Sequence, residues 1–98
     1  MDVKYGREYE DIIEELSAAI GEVEQIHDFF DMSDDDWDAL DAAGRKACIR
    51  TLADDVFYGL GAEPVIELGL GAVRHDRDRH RLHVSQGERE IAVIRLTF

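Results

Sequence analysis

The hydrophobic period of this chain changes once, at Pro64, and no other feature constrains the fold as much. Before Pro64 apolar residues recur every three or four positions; after it they recur every second position. Helical periodicity followed by strand periodicity, without alternation between them, predicts an α+β domain. Ninety-eight residues with 45% apolar content suit one such domain, spanning 1–98.

The first apolar stripe comprises Tyr9, Ile12, Ile13, Leu16, Ile20, Val23 and Phe30 and predicts a helix from about Tyr5 to Phe30. Glu8, Asp11, Glu15 and Glu22 fall on its opposite face. Such a helix would be about 39 Å long, against a radius of gyration of about 13 Å for a domain of this size. It would overhang its own domain and invite a second copy of the chain, unless it breaks near Gly21 or Asp28.

Ser33, three residues before Asp36, reads as a helix N-cap. The stripe begun by Trp37 and Leu40 pauses around Gly44 and resumes through Cys48, Ile49, Leu52, Ala53, Val56 and Leu60. Gly59, Gly61 and Pro64 stop it. From Val65, Ile66, Leu68, Leu70 and Ala72 alternate with Glu67, Gly69, Gly71 and Val73, predicting one strand. A charged turn at 75–79, a strand through Leu82 and Val84, a hairpin at 85–88 and a strand at 90–98 follow. The expectation is two to three helices on one face of a three-stranded antiparallel meander. Ala92, Ile94, Leu96 and Phe98 would face the core. Val73, Ile91 and Val93 would lie on the outer face, as either a subunit interface or a face of ordinary apolar exposure.

Charge divides the chain at the same place. Residues 1–63 hold 18 acidic and 5 basic side chains; residues 64–98 hold 5 and 6. Salt adaptation would acidify both halves, whereas segregation points to an interaction surface. The net charge of −12 opposes direct binding to nucleic acid or anionic membranes. No apolar run is long enough to span a bilayer. One cysteine and no apolar leader favour a cytoplasmic protein.

No catalytic constellation emerges. His75, His80 and His83 lie beside Asp76 and Asp78, but in no zinc spacing and among four arginines, which oppose a cation. They remain low-ranking metal candidates, and no cofactor is called for. Glu24 and His27 make one Glu-x-x-His, where a di-metal site needs two; His27 reads better as the end of a buried stripe with a backbone or Asp partner. An EF-hand counted from Asp34 fails at Ala39 and Arg45. The Gly-Leu-Gly-Ala segments at Gly59 and Gly69 lack the dinucleotide fingerprint. Cys48 has no apparent base, and Ser17, Ser33 and Ser85 lie in no nucleophile elbow.

The leading expectation is a non-enzymatic module that docks a basic protein surface through Glu8, Asp11, Glu15, Glu22, Asp34, Asp35, Asp36, Asp38 and Asp41. Its sharper form is a nucleic-acid mimic that inhibits a DNA- or RNA-binding protein. The alternatives are a metal-dependent enzyme using Glu10, Glu14, Glu24 and His27, completed by dimerisation, and an assembly domain whose acidity serves solubility.

Overall fold

Three α-helices precede one four-stranded antiparallel sheet in the computed structural model, which describes residues 5–97. Helix α1 spans Tyr9–Ile20, α2 Asp34–Ala39 and α3 Ala42–Gly59. A 3₁₀ helix, Ile26–Phe30, lies between α1 and α2. Strands β1 Val65–Leu68, β2 Gly71–Asp76, β3 Arg81–Gln86 and β4 Arg89–Arg95 pair in sequence order.

The first helix is therefore 12 residues long, not 26. It covers about 18 Å and has no overhang to fill. Past Ile20 the turns tighten: Glu22 and Val23 donate to carbonyls only three residues back, at 3.1 and 3.0 Å. Gln25 then adopts a left-handed conformation, φ 62°, and redirects the chain. The sheet secures this exit. Leu70 N–H donates to Glu24 O at 3.0 Å, Glu24 N–H donates to Gln86 Oε1 at 2.8 Å, and Gln86 Nε2 donates to Glu24 Oε2 at 3.0 Å. The break near Gly21 is thus a docking point for two hairpins. Glu22, expected on the acidic face of the helix, lies in the turn beyond it.

The segment expected as one strand is a hairpin, so the meander has four strands rather than three. Leu68 pairs with Gly71, leaving a two-residue turn. Gly69 has φ 54°, and a Cβ there would lie 2.5 Å from Gln25 O; glycine satisfies both conditions. The turn leaves Leu70 exposed and resets the alternation. Val73, expected outside, is fully buried opposite Val84. A second reset occurs at Val84/Ser85, where a register shift leaves Ile91 half-buried against the core. Ile94 and Leu96 are buried and Val93 is exposed, following the expected alternation. Phe98 lies outside the described residues.

Helix α1 packs on one sheet face and α3 packs chiefly on α1, while α2 buries no residue, so the expected layer of two to three helices on the sheet is narrower than predicted. Ile12, Ile13, Leu16 and Ile20 of α1 meet Leu52, Val56 and Phe57 of α3 and Leu68, Val73, Leu82, Val84 and Ile94 of the sheet in one cluster. Tyr9 ties α1 to α3: its hydroxyl donates to Asp54 Oδ1 at 2.9 Å. Burial, reinforced by that hydrogen bond, pushes the Tyr9 phenol up to about 12. Alternation with the buried positions places Arg74, Asp76, Arg81, His83, Glu90, Val93 and Arg95 on the opposite, solvent-facing side of the sheet.

Candidate functional site

Two capping side chains shape the acidic region. Ser33 Oγ accepts from Asp36 N–H at 3.1 Å and starts α2, as the sequence predicts. Asp41 Oδ1 accepts from Gly44 N–H at 2.7 Å and starts α3, so the helices part at Leu40–Asp41 rather than pausing at Gly44. Asp41 is thus engaged as a cap as well as being exposed.

Before these caps, the 3₁₀ helix is bracketed by two left-handed residues, Gln25 and Asp31. It buries Ile26 and His27 and leaves Phe29 half exposed. His27 lies 2.5 Å from Asp34, Nε2 to Oδ1; an ionised carboxylate only accepts, so the ring N–H donates. This bond joins the 3₁₀ helix to α2 across the intervening loop. Above it the aromatic rings stack. His27 lies on Trp37 at 6.0 Å and 19°, and Trp37 lies on Phe30 at 5.9 Å and 13°. Arg45 of α3 completes the group, its guanidinium 5.8 Å from the Trp37 ring, with Nε donating to Trp37 O and Nη2 to Asp38 O.

The result is a lobe with a stacked aromatic centre and an aspartate rim. Asp28, Asp31, Asp34, Asp35, Asp36, Asp38 and Asp41 are all exposed. Asp34 is held by His27, and Asp38 lies 3.9 Å from Arg45. Among the described residues Asp31, Asp35 and Asp36 have no cationic partner within 4.0 Å. Phe29 follows Asp28 in the chain and lies edge-on to Phe30 at 6.3 Å. The arrangement offers carboxylates for Lys or Arg and a ring face for the cation or its alkyl stem.

Asp34, Asp35, Asp36, Asp38 and Asp41 therefore fall together, while Glu8, Asp11 and Glu15 lie on or beside α1. Glu15 is paired with Arg7. Sequence reasoning missed Phe29 and the structural role of Trp37. The available signal was three aromatics within nine positions of an aspartate-rich stretch.

The alternative carboxylates are dispersed in their bonding. Glu10 pairs with Arg50 at 2.7 Å, Glu24 binds Gln86, and His27 binds Asp34; Glu14 lines a shallow groove between α1 and α3. The three histidines of the sheet also separate. His83 Nδ1–H donates to Glu90 Oε1 at 2.6 Å, and its Nε2 lies 3.7 Å from Asp76 Oδ2. His80 occupies the β2–β3 turn with φ 53°. His75 is half-buried; desolvation, with Arg77 nearby, holds its pKa below the usual histidine value. Among the described residues no group of three His, Cys, Asp or Glu side chains is placed to hold a metal ion. No described helix is long and apolar enough to cross a membrane. The chain has no match among protein-family models, curated proteins or solved structures.

Proposed function

We propose that this protein is a binding module whose aspartate–aromatic lobe docks a basic surface of a protein partner. The observation that carries this reading is the half-exposed Phe29, next to Asp28 and close in sequence to Asp31, and joined through Phe30 to the His27–Trp37–Phe30 stack. Trp37 of that stack lies on α2, the helix that carries the exposed Asp34, Asp35, Asp36 and Asp38. Aromatic anchors give binding energy that charge alone does not, and the rim charges steer approach and select basic partners. The caps at Ser33 and Asp41 and the His27–Asp34 bond hold the lobe ready, which lowers the ordering cost of binding. The acids of α1 add to the long-range field without an aromatic anchor in their midst.

Affinity capture with quantitative mass spectrometry tests this. Wild type is compared with a lobe triple variant, Asp35→Asn/Asp36→Asn/Asp38→Asn, and with a charge-matched variant, Glu8→Gln/Asp11→Asn/Glu22→Gln. The proposal expects basic proteins that wild type and the charge-matched variant recover and the lobe variant loses. Equal recovery by all three overturns it. Displacement of the recovered protein by duplex DNA or RNA would support the nucleic-acid-mimic form.

A further inference from the structure

Arg81 of β3 and Arg95 of β4 are direct cross-strand partners. Directly paired residues share a sheet face with their Cβ atoms about 5 Å apart, and like charges in that position repel. The chain holds 23 acidic side chains against 11 basic ones, so carboxylates were abundant for this position. Arg81 does have Asp76 as its other cross-strand neighbour. Yet Asp76 turns to Arg79, at 3.5 Å, and towards His83, at 3.7 Å. Partial burial pushes Asp76 up, but the Arg79 N–H and the charges of Arg79 and Arg74 outweigh it and hold its pKa low. Among the described residues Arg81 and Arg95 make no ion pair within 4.0 Å.

Both arginines line an open cleft of about 280 Å³, together with Arg79, His80 and Thr97. Among the described residues every lining side chain can donate a hydrogen bond, and none is a carboxylate. The walls are fixed by backbone contacts. Leu96 N–H donates to His80 O at 2.9 Å, Arg7 Nη1 donates to Arg95 O at 2.9 Å, and Arg79 N–H donates to Asp76 Oδ1 at 3.3 Å. The left-handed His80 turns the β2–β3 connection so that Arg79 and Arg81 flank it on the cleft. Two of its arginines, Arg81 and Arg95, are left without a carboxylate among the described residues, on a backbone frame that these contacts hold, at the less acidic end of an acidic protein.

We propose that this cleft binds a tetrahedral dianion of the phosphate class, with Arg81 and Arg95 as its principal ligands. Planar guanidinium forks match phosphate oxygens, and a bound dianion turns the repulsion between the two arginines into shared attraction. Chloride supplies one charge and no fixed acceptor geometry, so it is a poor substitute. The proposal is independent of the lobe, which lies on other elements.

Inorganic phosphate and phenyl phosphate, each titrated at ionic strength matched with sodium chloride, test it by calorimetry and thermal unfolding. The expected result is saturable binding and a rising midpoint for wild type. Arg81→Gln and Arg95→Gln should each weaken binding about tenfold or more, and the double variant should abolish it. Without phosphate the Arg81→Gln protein should be at least as stable as wild type, because a like-charge pair is gone. Arg89→Gln, a charge change outside the cleft lining, should bind as wild type does. Tighter binding of phenyl phosphate would assign a phosphate monoester, and equal binding the free anion. No saturable binding, equal midpoint shifts in the double variant, or the same shift with chloride alone would each overturn the proposal.

Discussion

The imidazole of His27 and the carboxylate of Asp34 meet at 2.5 Å and couple the inward face of the 3₁₀ helix to an exposed α-helix. His27 is nearly buried, whereas the Asp34 side chain is 79% exposed, so this bond links the folded interior to the acidic rim. Asp34→Ala should loosen the lobe and cost about 1 kcal/mol, allowing for solvent screening of an exposed carboxylate. Trp37, the chain's single tryptophan, reports the change directly. Its emission should shift to the red in Asp34→Ala; unchanged emission and stability would show that the bond does not organise the stack.

The caps lead to a second prediction. Asp41→Ala should lower stability by about 1 kcal/mol, because Gly44 N–H loses its acceptor at the start of the long helix α3. Ser33→Ala removes the corresponding acceptor from the six-residue α2, so it should disturb the lobe more than the global unfolding midpoint. Chemical denaturation and Trp37 emission separate the two effects. A larger global loss from Ser33→Ala would reverse the assignment.

Two glycines with similar backbone angles should respond differently to alanine. Gly69 and Gly87 have φ 54° and 62°, so an alanine at either position incurs left-handed strain. A Cβ at Gly87 meets nothing within 4 Å, whereas one at Gly69 would meet the Gln25 carbonyl at 2.5 Å. Gly87→Ala should therefore cost about 1 kcal/mol, and Gly69→Ala clearly more, because the β1–β2 turn would have to leave its seat on the 23–25 loop. Equal midpoints in denaturant would contradict this packing.

His75 sets a pH dependence. Its pKa is below 6.5 in the folded chain, chiefly through desolvation and then through Arg77, so folding favours the neutral ring. Well above 6.5 both folded and unfolded states are neutral at this site and its contribution to stability is complete. As pH falls below 6.5 the unfolded chain takes up the proton first and stability declines. NMR titration of the His75 ring should give a midpoint below 6.5. A midpoint at or above it would show that the ring is not desolvated as the structure has it.

The order of elements was readable because hydrophobic period is a local property. Ser33 and the Gly59–Pro64 stop were readable for the same reason. The end of α1 was not: Gln25, Leu70 and Gln86 act together there, and no local pattern reports contacts between residues 24, 70 and 86. The β1–β2 turn is hidden because Gly69-Leu70 continues the apolar alternation through the reversal, and the reversal moves Val73 to the face opposite the one that unbroken alternation predicts. The aspartates of the lobe were visible as charge. The stack that gives them a rigid centre depends on residues 27, 30, 37 and 45 converging, which only the fold supplies.

The proposed reading has the lobe bind as a charged aromatic site and not as diffuse negative charge. Fluorescence anisotropy of a labelled arginine-rich peptide, titrated from about 50 to about 300 mM salt, measures this most directly. Wild type should bind with an affinity that falls steeply as salt rises. Phe29→Ala should weaken binding about fivefold or more at every salt concentration, because the lost contact is aromatic. The Asp35→Asn/Asp36→Asn/Asp38→Asn variant should weaken binding and flatten the salt dependence, and the charge-matched Glu8→Gln/Asp11→Asn/Glu22→Gln variant should do much less. Equal losses in the two charge variants, with no effect of Phe29→Ala, would contradict the account.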